Sequence, residues 1–114
     1  MLPKLSPDAS EEEVQALLKQ AAKASKLLRS LSHETRLLIL CLLTEREEMS
    51  VSEIEDIVKL PQAAVSQQLA RLRLENLVLT RRDGRLIYYR IADKDVSKII
   101  ESLYDLFCKP VRKS

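Results

Sequence analysis

After Asn76 the spacing of apolar residues changes from every third or fourth position to every second, and the change pivots on the one glycine in the chain. Val78-Leu79-Thr80-Arg81-Arg82 and Arg85-Leu86-Ile87-Tyr88-Tyr89-Arg90-Ile91 flank Asp83-Gly84. Asp-Gly tolerates positive φ at both centres of a two-residue turn, so this stretch is expected to be a β-hairpin. One Gly and four Pro in 114 residues leave little from which to build further tight turns. The rest of the chain must therefore be largely helical.

The helix expected just before the hairpin is Leu60-Pro61-Gln62-Ala63-Ala64-Val65-Ser66-Gln67-Gln68-Leu69-Ala70-Arg71-Leu72. Pro61 suits a first turn, where a missing N–H costs little. Val65, Leu69 and Leu72 form an inward stripe at i, i+4, i+7. The opposite face carries Ala63, Ala64, Gln67, Ala70 and Arg71, with Gln62 and Ser66 on its flank. Short side chains let a helix sink into a groove, amides and hydroxyls read base edges, and arginine takes phosphate. Taken alone, the same face would also suit an ordinary solvated helix.

Charge decides between these readings. Residues 1–60 carry a net −3, whereas residues 61–90 carry six arginines against Glu75 and Asp83, a net +4. Positive charge gathered in one segment, all of it arginine, points to phosphate contact by that segment. Gln62, Ser66 and Gln67 are thus expected to face base edges of double-stranded DNA. Arg71, Arg73, Arg81, Arg82 and Arg85 are expected to contact phosphates.

Upstream, Ser10-Glu11-Glu12-Glu13 reads as a capping box that opens a helix with Val14, Leu17, Leu18, Ala21, Ser25, Leu28 and Leu31 on one side. So clear a stripe must be buried on the core or on a partner chain. Ser32 is expected to cap a second helix, whose run Leu37–Leu43 is apolar all round and belongs in the middle of the domain. His33, the one histidine, reads as a surface residue. Ser50–Val58 is a short helix with Val51, Ile54, Ile57 and Val58 inward. A last helix starts near Asp93, carries Val96, Ile99, Ile100, Leu103 and Phe107 as its stripe, and ends at Pro110. Residues 1–9 and 111–114 read as flexible tails around one domain over 10–110. The acidic start lacks the apolar core of a signal peptide, and no apolar run approaches the ~18 residues that span a bilayer. A cytoplasmic location without membrane contact follows, in which Cys41 and Cys108 are expected as thiols.

The resulting order is mainly α with a β-hairpin wing, α-α-α-α-β-β-α: a winged helix-turn-helix. Over about Ala22 to Phe107 the chain resembles the ArsR/SmtB family of small bacterial repressors. Three segments carry the likeness: Leu31-Ser32-His33-Glu34-Thr35-Arg36-Leu37, Ala64-Val65-Ser66-Gln67-Gln68-Leu69, and Arg82-Asp83-Gly84-Arg85 with Tyr88-Tyr89-Arg90-Ile91. The resemblance implies a homodimer built on the first and last helices, repression at an operator, and release of DNA when an inducer binds.

The family's metal positions do not carry over. Its metalloid sensors hold Cys-Val-Cys where this chain has Ser50-Val51-Ser52, and a hydroxyl is a poor ligand for soft ions. Its zinc positions fall here on Asp93, Asp95, Leu106 and Lys109. Neither a metal nor another cofactor is expected. The pair Cys41 and Cys108 instead resembles the persulfide-sensing branch of BigR- and SqrR-type members, which implies a redox switch operated by reactive sulfur or another oxidant. Two alternatives stand beside it. One is a repressor of the same fold with inert core cysteines, gated by a metal or other ligand. The other, a thiol-dependent sulfur-handling enzyme, lacks both a Cys-x-x-Cys and a nearby histidine base.

Overall fold

A computed structural model describes residues 6–111. The chain separates into two units between Leu31 and Ser32. The tail readings fall partly outside the described residues, at 1–5 and 112–114; nearer the domain, Ser6 caps a turn through Asp8 and Ala9.

The first unit is helix α1, Glu11–Leu31. The Ser10 hydroxyl accepts from the Glu13 N–H at 3.1 Å, as the capping pattern predicts. Its apolar residues Val14, Leu17, Leu18 and Leu28 are exposed in the single chain.

In the second unit the order is α2 (Glu34–Arg46), β1 (Met49–Ser50), α3 (Val51–Val58), α4 (Gln62–Leu74), β2 (Val78–Asp83), β3 (Leu86–Ile91) and α5 (Lys94–Leu103). Helix α2 touches α3, α4, α5 and β3, and its Ile39, Leu40, Cys41 and Leu43 are buried. The central place expected for this helix is therefore its place, although Leu38 is exposed. Around it lie Met49, Ile54, Val65, Leu69, Leu72, Val78 and Ile100, all fully buried. Among the described residues, no helix is long and apolar enough to cross a membrane.

Several local expectations shift. Ser32 does not cap α2; His33 stands at the N-cap in an extended conformation and makes no side-chain cap bond. Ser50 is the better cap, with a complete capping box that pairs it with Glu53. Ile57 faces solvent, because an eight-residue helix buries only the line through Ile54. A third strand, β1, adds Met49 and Ser50 to β3 opposite Tyr89 and Tyr88. Two residues have no period, so nothing in the spacing announces it.

The hairpin register also moves by one. Asp83 pairs with Leu86, which leaves Gly84 and Arg85, not Asp83 and Gly84, at the turn. Gly84 has φ +62 and Arg85 does not share its positive sign, the φ pattern of a type II′ turn, which needs glycine at the first centre only. Helix α4 ends in a Schellman motif. Asn76 takes φ 59, its N–H donates to Arg73 O at 3.0 Å, and the Leu77 N–H donates to Leu72 O at 2.9 Å. That motif stops the helical period and aims the chain into β2.

Candidate nucleic-acid interface and thiol pair

Helices α3 and α4 meet through a tight turn in which Lys59 adopts the left-handed conformation and donates to Glu55 O at 3.0 Å. Val65, Leu69 and Leu72 anchor α4 in the core. This leaves Gln62, Ser66, Gln67, Arg71 and Arg73 on exposed positions of the same helix. Gln68, one step from Gln67, is spent inside the protein. Its Oε1 accepts from Arg36 Nε at 3.2 Å, and its amide nitrogen sits 3.4 Å from His33 Nε2. Arg36 also reaches Glu75 at 3.6 Å, and Glu75 pairs with Arg71 one turn back at 3.9 Å. The Arg71–Glu75 contact follows from i, i+4 spacing. The Arg36–Gln68 bond spans 32 positions and had no signal in the chain.

The wing divides its arginines. Arg82, on β2, and Arg85, in the turn itself, are both exposed. Arg81 is held differently. Its Nε and one terminal nitrogen donate to the two Glu48 carboxylate oxygens, both at 2.7 Å, and its guanidinium lies 4.5 Å from the Tyr88 ring centre. Those bonds lower the Glu48 carboxyl below its ordinary range. A bidentate pair fixes geometry as well as charge. The phosphate role expected of Arg81 thus competes with a carboxylate already seated on it.

The two cysteines come together. Cys41, on α2, is 6% exposed and has Cys108, from beyond the end of α5, as its neighbour. Both are free thiols. The backbone explains how Cys108 arrives there. From Tyr104 to Cys108 the helix widens into a π-helical turn, closed by the Lys109 N–H donating to Tyr104 O, and Lys109–Val111 follows as a 3₁₀ turn. In a regular α-helix Phe107 would stand nearly above Ile100, and Cys108 would fall about 80° to the side. A π turn absorbs one residue. Cys108 then takes the place over buried Ile100, while Phe107 swings out to 71% exposure and Leu106 to 70%. Phe107 is therefore not on the buried stripe, and regular α geometry ends at Leu103 rather than at Pro110. Ile99, at 36% exposure, also lies at the edge of that stripe.

Cys41 opens on a groove of about 860 Å³ between α2 and the widened turn, bordered by Thr44, Glu45, Glu101, Tyr104, Asp105 and Lys109. Burial, then the neighbouring Cys108, pushes the Cys41 thiol up to about 12. At neutral pH Cys41 is a protonated, weak nucleophile. Iodoacetamide labelling of Cys41, followed by peptide mass spectrometry, should still rise about tenfold per unit between about pH 8 and pH 10, where an ordinary thiol levels off. A plateau near pH 9 would contradict the burial argument. Because the thiol is raised, its neutral form costs nothing below the ordinary value; native stability should fall as pH climbs from about 9 through about 12. Among the described residues, no group of three or more His, Cys, Asp or Glu is placed to hold a metal ion.

Residues 33–80 match the profile of bacterial regulatory proteins of the arsR family. The chain is 39% identical over 103 residues to a biofilm growth-associated repressor of Agrobacterium fabrum, spanning 90% of this chain and 87% of that one. It is 40% identical over 96 residues to the transcriptional activator HlyU of Vibrio cholerae, covering 84% and 88%. The crystal structure of the transcriptional repressor BigR from Xylella fastidiosa superposes with a TM-score of 0.80 at 35% identity, over 88% of this chain and 98% of that one. These relatives are regulators of transcription, not enzymes. The chain belongs to the arsR family of bacterial regulatory proteins, with a winged helix-turn-helix fold.

Proposed function

We propose that this regulator is a homodimeric repressor that leaves its operator when Cys41 and Cys108 become joined. The observation that carries the reading is that two cysteines far apart in sequence become neighbours, with Cys41 at the edge of a groove. The chemistry balances with a persulfide R–S–SH as oxidant. Cys108 thiolate takes the outer sulfur and RS⁻ leaves; Cys41 then attacks the Cys108 sulfur, losing its proton and expelling HS⁻. Two protein thiols become one disulfide, and the persulfide leaves as a thiol and hydrogen sulfide. Cysteines inert in the core are the competing reading; partial exposure of Cys108 favours the switch.

A route to the DNA-binding face is available. Cys41 and Arg36 share α2, and Arg36 hydrogen-bonds Gln68 on α4. A bridge that shifts α2 against the end of α5 pulls on the helix that carries Gln62, Ser66 and Gln67. Two copies, joined through the exposed stripe of α1 and the apolar end of α5, must present two such helices about one DNA turn apart. A small shift then costs a whole half-site. The test measures operator affinity and protein mass on one sample, before and after persulfide treatment. Loss of two hydrogens together with loss of binding is expected; a bridged protein that binds DNA as before refutes the switch.

The wing supplies a separate prediction. Arg85→Ala should lower the slope of log K against log salt by about one, with discrimination between operator and random DNA nearly kept. An unchanged slope would mean that the tip points away from the duplex.

A further inference from the structure

The arginine set back from the tip of the wing is held in a way that phosphate contact does not require. In the strand order β1-β3-β2, Arg81 on β2 stands directly opposite Tyr88 on β3. Tyr88 in turn faces Ser50 on β1, and the same register carried back by two places sets Glu48 opposite Arg90. Side chains alternate between the faces of a strand, so Glu48, Arg90, Tyr88 and Arg81 share one face of the sheet. Arg82, opposite Ile87, shares the other face with Tyr89, which borders a hollow with Ser66 and Arg73 of α4. Arg81 is therefore on the side turned away from α4. Its fork to Glu48, both bonds at 2.7 Å, crosses all three strands above the Tyr88 ring, a width of about 10 Å between the outer strands. The far end is fixed as well. Glu48 follows the turn that leaves α2 through Glu47 at φ 67, and two residues later Ser50 caps α3.

We infer that Arg81 is a positioning residue: its fork to Glu48 is a strut that sets the angle of the wing against the helix-turn-helix, so that Arg82 and Arg85 meet the DNA backbone in step with α4. The inference goes beyond the thiol switch and rests on the reading of the wing tip as a phosphate contact. Two residues of ladder join β1 to β3, too few to fix the twist of a two-stranded ribbon that projects beyond them. A bidentate pair constrains direction as well as distance, and the Tyr88 ring beneath it holds the guanidinium in place. For phosphate binding alone Glu48 is adverse, because it neutralises the arginine that it holds. For holding an angle it is required. The bonds from Arg81, and then the charge of Arg90, keep the Glu48 carboxyl below its ordinary range, so the strut is ionised at neutral pH.

Binding to a duplex that the native protein selects from a random-sequence pool separates a strut from a phosphate contact, with full-length reduced protein at several salt concentrations. If Arg81 served phosphate, Glu48→Ala would free it, raising affinity and raising the slope of log K against log salt by about one. The strut predicts the opposite sign. Glu48→Ala should bind about fivefold or more weaker, with no rise in slope, although a negative charge has been removed. Arg81→Ala should lose a similar factor, and the two losses should not add in the double variant. Glu48→Arg combined with Arg81→Glu keeps the net charge and sends the same fork across Tyr88 in the other direction. This exchange should bring affinity back to within about threefold of native, a rescue that a phosphate-bound Arg81 forbids. An exchanged protein that binds no better than Arg81→Ala overturns the inference, and so does a Glu48→Ala protein that binds more tightly than native. Where Arg85→Ala still lowers the slope, either result removes the strut and leaves the wing on the DNA. A native slope in Arg85→Ala removes both.

Discussion

Protein carrying both Cys41→Ser and Cys108→Ser should stay on its operator at persulfide concentrations that weaken the native protein about hundredfold or more. The size follows from dimer geometry: a specific site is commonly 10³ or more tighter than random DNA, and a bridge that misplaces one recognition helix removes most of one half-site. The single variants should separate the steps. In Cys108→Ser the remaining thiol is buried, and burial still raises it above an ordinary thiol, so it should gain sulfur slowly. In Cys41→Ser the half-exposed Cys108 can take sulfur but has no neighbour to expel it. A Cys108 persulfide should therefore accumulate, about 32 Da heavier, with the operator still bound. Release of DNA from the double variant would show that the inducer acts elsewhere.

What could be read from the sequence divides along a physical line. Elements whose period is carried by many residues were legible: the Val65–Leu69–Leu72 stripe, the change of period after Asn76, and the apolar centre of α2 all stand where spacing puts them. Effects that turn on one residue were not. Asp83-Gly84 and Gly84-Arg85 both satisfy a hairpin motif, and only the pairing of Asp83 with Leu86 chooses between them. Gln67 and Gln68 look alike in a list of amides, yet Gln68 is tied up by Arg36 and His33 across the fold. Arg81 reads as one more cation of the finger until Glu48, placed by β1, is found on it. The thiol pair itself could be suspected but not seen. Regular helix periodicity faces Phe107 inward and turns Cys108 aside, and no periodicity marks an absorbed residue.

That absorbed residue supplies the second large effect. Exchanging the neighbours, as Phe107→Cys with Cys108→Phe, keeps composition and length but moves the sulfur one place back. If the π turn is held by its surroundings, the new cysteine points outward like Phe107, and closure with Cys41 should slow at least about a hundredfold, since a disulfide needs Cα atoms ~4.4–6.8 Å apart. Pro110 helps hold the turn: it lacks an N–H, and its ring crowds the carbonyl four residues back, so a regular helix cannot continue through it. Deleting exposed Leu106 is the counterpart. One residue fewer turns the segment into regular α-helix, with the cysteine seven positions after Ile100 and back on the buried line. Closure in that variant should stay within about threefold of native. Rates of disulfide formation with 2-hydroxyethyl disulfide, followed by the loss of two free thiols, distinguish the pair. Fast closure in the exchanged variant would mean that the helix relaxes to the regular form at little cost. The position of Cys108 would then belong to the bridge and not to the fold that awaits it.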